Sequence, residues 1–275
     1  MNIRSCVGKS VVTAAAAWLF AAAAGAADAV SLVRAQKTLV VNGARESWRL
    51  QWDAVPDSAC GPEDMAVALA CPCSGFAYGE VGKLVLVRMR KGTTPERLEL
   101  ASFFQGQGAP GSVGGAGDAV VQRWRPKPAT AHDEEDDWHH AADFDFIKRV
   151  HARGSTEVLK LADYNHDGQA TEFLLQVGAG GCGKHQMVLV GVSRYNPHLH
   201  VFASAEAPDQ PLTLLAPVWA AVLRSPKPAH VMESSCDDPE REVESSLTVA
   251  ARRGVFHVQR ETRACPKIDG ADRQQ

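Results

Sequence analysis

The chain has 275 residues and a formal net charge of −3. A mildly acidic chain has no electrostatic basis for binding nucleic acid or an anionic membrane, so neither is expected as a partner. The length suits one large domain or two small domains packed together.

The first 27 residues predict a secretory signal peptide. Arg4 and Lys9 precede an apolar run from 11 to 24, and the small residues that follow fit cleavage by signal peptidase. The run is short for a membrane span, which needs about 20 residues, so an uncleaved anchor is the weaker alternative. No later stretch is long and apolar enough to cross a bilayer. The mature chain is therefore expected to be periplasmic or secreted, without a membrane span after signal cleavage.

Six of the seven cysteines lie beyond this leader. An even number of cysteines in an oxidising compartment favours disulfide bonds, here three. Cys236 and Cys265 flank a predicted hairpin that can bring them together, so this pair alone is assigned. Cys71 and Cys73 alternatively suggest a soft-metal site for copper or zinc. The predicted disulfide cysteines are Cys60, Cys71, Cys73, Cys182, Cys236 and Cys265.

The first predicted element after the leader is a β-hairpin. Residues 37–41 are apolar and β-prone, and Asn42-Gly43 is the strongest short signal for a two-residue hairpin turn. Trp48 and Trp52 then alternate with polar residues, which places both rings on one face of the second strand. That face is expected to belong to the core.

The elements that follow are short. Pro62 opens a predicted helix over 62–70, with acidic residues in its first turn. Strands are predicted at 83–90, 97–104 and 119–125, and the glycine-rich segment 105–118 is predicted to be a loop.

An acidic stretch from His132 to Asp145 contains seven acids, three histidines and no lysine or arginine. Such a run is usually a solvated segment, although imidazoles and carboxylates together could hold a divalent transition metal.

We predict four parts in the chain: a signal peptide (1–27), an N-terminal β-rich part (28–125), an acidic linker (126–142) and a C-terminal α+β part (143–275).

The remainder of the chain alternates strands with two more helices. Helices are predicted at 143–152 and 217–224, and a C-terminal hairpin pairs 243–251 with 255–262 around Arg252-Arg253-Gly254. The fold class expected from these elements is β-rich α+β, with antiparallel sheets and two or three short helices. The other strands are predicted at 157–161, 172–177, 186–193 and 199–203.

The segment 163–172 carries the clearest chemical signal. Calcium is a hard cation that takes six to eight oxygen ligands. Alternate residues of a tight loop can direct several oxygens at one centre, and Gly168 permits a sharp turn after the third of them. The predicted calcium ligands are the side chains of Asp163, Asn165, Asp167 and Glu172 and the backbone carbonyl of Gln169.

The Asp-x-Asn-x-Asp-Gly core resembles the calcium loops of EF-hands, dockerins and integrin-type β-propeller repeats. It departs from the EF-hand because position twelve is Leu174 rather than Glu, and because the flanking segments are predicted strands. The propeller-type loop also has a strand on each side, but its acid normally falls one position before Glu172. The longer run 161–191 resembles uncharacterised exported bacterial proteins. These resemblances imply a bound cation and no particular activity.

The leading interpretation is an exported, non-catalytic binding or structural module with a calcium-stabilised loop and an unknown partner. One alternative is a secreted hydrolase that draws its acids and bases from 132–145, Asp163 or His185. Another is a periplasmic copper- or zinc-handling protein that uses Cys71, Cys73 and histidines such as His198 and His200. We find no sequence pattern specific enough to name a hydrolase.

Overall fold

The computed structural model describes residues 32–59, 79–100, 120–122, 157–180, 184–234, 236 and 242–266. The predicted helices over 62–70 and 143–152, the loop over 105–118 and the acidic stretch lie outside these ranges, as do Cys60, Cys71, Cys73 and Cys182. The described ranges contain one helix, and it is not long and apolar enough to cross a membrane.

The architecture is β-rich with antiparallel sheets, as predicted. The helix, α1, spans Ala216–Arg224 and has Pro217 in its first turn, a position for which the fixed φ of proline is preorganised. The strands are β1 (Val33–Val41), β2 (Ala44–Trp52), β3 (Asp57–Ala59), β4 (Gly79–Gly82), β5 (Leu84–Arg90), β6 (Glu96–Glu99), β7 (Val120–Gln122), β8 (Glu172–Gly180), β9 (Lys184–Gly191), β10 (His200–Val201), β11 (Ala203–Ser204), β12 (Ala207–Pro211), β13 (Thr213–Leu215), β14 (Ala229–Ser234), β15 (Val243–Arg252) and β16 (Val255–Ala264).

The first sheet has the strand order β1-β2-β5-β6 and contains the predicted N-terminal hairpin. Asn42 and Gly43 have φ angles of 49° and 81°. Positive φ at both central residues is the backbone of the two-residue turn that suits the twist of paired strands. Trp48 and Trp52 are fully buried, which confirms that this face of β2 belongs to the core. Strands β3, β4 and β7 form a small separate sheet.

Strands β8, β9, β10 and β13 form a second sheet, in which β9 pairs with the other three. The prediction of a strand over 157–161 was wrong, because these residues have no strand pairing in the described part of the chain. The next residue, Ala162, forms an isolated antiparallel bridge with Glu172. Leu159 is fully buried and Leu161 packs against the core, so the segment is held by its side chains rather than by a backbone ladder.

The predicted strand over 199–203 is divided between two sheets. Strand β10 pairs with β9, whereas β11 pairs with β12 and, in parallel, with β16. Phe202 lies between them and is buried, because the chain crosses there from one sheet to the other. The third sheet has the order β12-β11-β16-β15-β14, and its β15–β16 hairpin turns at Arg253-Gly254 as predicted.

In the part of the chain that the structure describes, two apolar clusters hold most of these elements together. The first joins the first sheet to the second and includes Trp48, Leu84 and Phe173, so it draws on residues from both sides of the predicted linker. The second lies between α1 and the second and third sheets and includes Trp219 and Phe256. The Trp219 indole N–H donates to the Met187 carbonyl at 3.0 Å, which satisfies its polar group within the core.

The Cys236–Cys265 disulfide is present, with a Cα–Cα distance of 5.4 Å, and confirms the assigned pair. It joins the segment that follows β14 to the segment that follows β16, the two strands on either side of β15 in the third sheet. Replacing both cysteines by serine is expected to lower the free energy of unfolding by about 2–4 kcal/mol, because the unfolded chain regains the entropy of an open loop. Urea unfolding of the double variant beside the oxidised wild type measures this. Identical midpoints would contradict a stabilising role.

Candidate metal site

The Asp163–Glu172 loop is a closed structure whose two ends are joined by backbone hydrogen bonds. The Ala162 N–H donates to the Glu172 carbonyl at 2.8 Å, and the Glu172 N–H donates back to the Ala162 carbonyl at 3.2 Å. The second end continues directly into β8, which is paired along its length with β9. The Asp163–Glu172 loop is therefore attached directly to the second sheet through β8.

Within the loop, three side chains turn back onto the backbone. The Asp167 N–H donates to Asp163 Oδ1 at 3.0 Å and to Asn165 Oδ1 at 2.9 Å. The Gly168 N–H donates to Asp163 Oδ2, and the Gln169 N–H donates to Asp167 Oδ1, each at 3.0 Å. The three predicted oxygen-bearing side chains thus curl around a few successive amides.

Two left-handed residues allow the chain to turn this tightly. Gly168 has a φ of 91°, a conformation in which glycine carries no side-chain penalty, as the sequence predicted. His166 has a φ of 55°, which is unfavourable for a residue with a Cβ atom. Its ring Nε2 lies 2.8 Å from the Val222 carbonyl, near the end of α1, and this contact holds the histidine in place.

Glu172 reaches into the loop from the first position of β8 and has no solvent exposure. The Tyr164 N–H and the Thr171 hydroxyl donate to its carboxylate at 2.9 Å, and Asn165 Nδ2 donates at 3.3 Å. Burial is the main cause that raises the pKa of Glu172 to about 8, and repulsion from Asp167 and Asp163 raises it further. One buried acid, Glu172, therefore lies beside two partly exposed acids, Asp163 and Asp167.

These groups fit a hard cation better than a soft one. The available donors are carboxylate and amide oxygens, which calcium prefers, whereas zinc and copper favour imidazole or thiolate. In the described part of the chain, no group of three or more His, Cys, Asp or Glu side chains is placed to hold a metal ion. A calcium ion at this loop would have to draw on the amide oxygen of Asn165 and a backbone carbonyl as well.

The predicted carbonyl ligand, that of Gln169, accepts the Thr171 N–H at 3.0 Å. A carbonyl oxygen has two lone pairs, so this hydrogen bond leaves one for a cation. Thr171 was not singled out from the sequence, yet its hydroxyl oxygen lies 2.9 Å from Glu172 Oε1 and 2.8 Å from the Val192 carbonyl oxygen, so its one proton is shared between two acceptors. The alternation of ligand positions in the sequence did not indicate Thr171, because the contact of its hydroxyl depends on the fold bringing Val192 beside the loop.

The loop also contacts two distant segments of the chain. Gln169 Nε2 donates to Asn42 Oδ1 at 2.8 Å, and the Asn42 N–H donates to Gln169 Oε1 at 3.4 Å. The Arg194 N–H donates to Asp167 Oδ2 at 2.6 Å. Asp167 is thereby bonded through both carboxylate oxygens, one within the loop and one to the segment after β9.

The residues named for the alternative functions lie apart from this loop. His185 pairs with Ala179 near one end of the β8–β9 ladder, whereas Glu172 pairs with Gly191 near the other. Six residues of strand separate them, which is about 20 Å. The structure therefore does not bring His185 together with the acids of the Asp163–Glu172 loop.

His198 and His200 do not form a pair of ligands on one strand face. His198 is an exposed loop residue that lies 3.4 Å from Glu96, and His200 is the first residue of β10. The His200 Nδ1 is engaged by the His198 carbonyl at 2.8 Å, and burial lowers the pKa of His200.

We compared the chain with known families, curated proteins and solved structures. None of the three comparisons gave a match.

Proposed function

We propose that this chain is an exported, non-catalytic binding or structural module in which calcium orders the Asp163–Glu172 loop. The ligands would be side-chain oxygens of Asp163, Asn165 and Asp167, the Gln169 carbonyl and the Glu172 carboxylate. The ion would supply positive charge to a small loop that carries three acids.

The observation that supports this proposal best is the position of Glu172. A fully buried carboxylate is costly unless a partner compensates its charge. Within the described residues its hydrogen-bond donors are neutral groups, and the nearest charges that act on it are the two acids Asp163 and Asp167. A cation among these groups would remove the repulsion, whereas a simple turn has no need for a buried acid.

The ligand set also suits a weak site. One amide, one carbonyl and three carboxylates on a short loop resemble the sites of extracellular modules, for which dissociation constants are about 10⁻⁴–10⁻³ M. An exported protein meets calcium outside the cytoplasm, so an affinity in this range would keep the loop occupied where the protein works.

Thermal unfolding in millimolar calcium and in excess chelator tests the proposal. At ten times the dissociation constant, calcium is expected to stabilise the wild type by about 1.4 kcal/mol. Asp167→Ala should abolish most of this gain, because it removes a ligand and a charge together, and Glu172→Ala tests whether that acid completes the shell. Asp209→Ala, which removes an exposed acid on β12, is the matched control and should keep the full gain.

An unchanged wild-type melting curve would show that the loop is only a turn. Metal analysis of the protein from its native compartment separates the alternatives at the same time. Calcium alone supports the proposal, whereas about one zinc or copper ion per chain supports a transition-metal role.

Export makes a separate prediction about the N-terminus. The protein purified from its native host is expected to begin at Ala27, Asp28 or Val30, because signal peptidase cuts after small residues. N-terminal sequencing measures this directly. Recovery of Met1 would contradict cleavage.

A further inference from the structure

We propose that calcium in the Asp163–Glu172 loop fastens the turn of the first hairpin to the second half of the chain through the paired amides of Asn42 and Gln169. This inference rests on the proposed function, because it requires the loop to bind the ion. It adds a consequence that the calcium ligands alone do not imply: an element 127 residues away responds to the ion.

The link is a reciprocal pair of hydrogen bonds between exposed groups. Gln169 Nε2 donates to Asn42 Oδ1, and the Asn42 N–H donates to Gln169 Oε1. A hydrogen bond between exposed groups contributes little by itself, because water replaces it readily. Its strength therefore depends on how firmly each of the two backbones is held.

The two sides of this link differ in how they are held. On one side, Asn42 belongs to a tight turn whose flanking strands are paired along their length. On the other side, Gln169 lies between the acids of the loop and Glu172, and its own carbonyl is a proposed ligand. Without the ion, Asp163 and Asp167 disfavour the ionised form of Glu172, and the peptide that carries the Gln169 amide is held by the hydrogen bonds of the loop alone. Calcium would offset the repulsion and hold the amide more firmly in place for Asn42.

Linkage makes the effect reciprocal. If ordering of the loop strengthens the Asn42–Gln169 pair, then an intact pair strengthens calcium binding by the same factor. The hairpin turn and the ion site thus act as one unit. The contact between His166 and Val222 joins the loop to α1 independently of Asn42, so the end of α1 reports loop ordering by another route.

Amide hydrogen exchange of the whole protein, with calcium or with chelator, measures this link. In the wild type at ten times the dissociation constant, exchange is expected to slow about tenfold in the loop, at the end of α1 and in the 40–45 turn. In Asn42→Gly, the loop and α1 should still respond, whereas the turn should no longer do so. Glycine accepts the φ of 49° at this position, so the variant keeps the turn and its backbone N–H, and it removes the Oδ1 atom that accepts the shorter of the two hydrogen bonds.

Arg253→Gly is the matched control. Arg253 has a φ of 51° and is followed by Gly254, so the same substitution is made at the same position of the same kind of turn, in the β15–β16 hairpin. This variant should keep the calcium response of the 40–45 turn.

Each other outcome overturns the inference in a recognisable way. If calcium slows exchange in the wild-type loop but not in the 40–45 turn, the ion binds and the link is absent. If the turn of Asn42→Gly responds as in the wild type, the Asn42 side chain does not carry the link and the inference fails. If no segment of the wild type responds, the proposed calcium site fails as well.

Discussion

Arg88→Met is expected to lower the free energy of unfolding by about 3–5 kcal/mol, because it leaves a buried acid without its partner. Arg88 and Glu46 are both almost completely buried and are joined by two hydrogen bonds of 2.6 and 2.7 Å. Glu96 and the Pro197 carbonyl accept from the same guanidinium. Methionine fills a similar apolar volume but carries no charge, so the buried carboxyl group of Glu46 would lose its charged partner.

Chemical denaturation of three variants checks this explanation. Arg97→Met removes a paired arginine on the exposed strand β6 and should cost at most about 1 kcal/mol. Adding Glu46→Gln to Arg88→Met should recover part of the loss, because it removes the uncompensated charge. A cost for Arg88→Met no greater than that for Arg97→Met would contradict the prediction.

This buried network also positions the segment that contacts the candidate site. The Leu199 N–H donates to Glu96 Oε1 at 2.7 Å, and Arg88 donates to the Pro197 carbonyl, so the chain between β9 and β10 is held at that end. Its other end carries Arg194, whose N–H donates to Asp167. We therefore expect Arg88→Met to loosen this segment as well as to destabilise the fold.

Glu172 gives the calcium-free protein a strong dependence on pH. Its folded pKa of about 8 lies above the ordinary value of 4.5, so between these values the folded state holds a proton that the unfolded state has released. Stability is then expected to fall as pH rises through this window, by about 1.4 kcal/mol for each pH unit. Below the window both states are protonated, and above it both are ionised, so the slope vanishes.

The measurement is urea unfolding in chelator from pH 5 to pH 9, for the wild type and for Glu172→Gln. Other titrating groups contribute to both proteins, so the difference between them isolates Glu172. The difference between their free energies of unfolding should change by about 4–5 kcal/mol over the window, since Gln cannot titrate. A constant difference would show that Glu172 is already ionised in the folded protein at low pH.

Local sequence signals predicted the hairpins well. Asn42-Gly43 and Arg253-Gly254 both form turns with two positive φ angles, and the alternation that placed Trp48 and Trp52 on one face is seen in the burial of both rings. Each of these features depends on a few adjacent residues. The helix from Ala216 to Arg224 was also recognisable, because Pro217 marks its first turn.

The errors arose where local pattern and tertiary pairing disagree. Residues 157–161 have the apolar spacing of a strand, but no strand within the described ranges pairs with them. Residues 199–203 also resemble one strand, but Phe202 lies between two sheets. Whether an extended segment becomes a strand depends on a partner that can lie anywhere in the chain.

The sequence by itself determined the order of ligand-type residues in the Asp163–Glu172 loop, because alternation and Gly168 are properties of adjacent residues. Only the tertiary structure decided that Glu172 is buried beside Tyr164 and Thr171, and that Gln169 meets Asn42. Burial and long-range contact arise when distant segments pack together, and they set both the cost of the charge and the elements that an ion could influence. The oxygen-bearing residues of the loop could therefore be identified from a short segment, whereas the burial of Glu172 and the contact between Gln169 and Asn42 could be seen only in the fold.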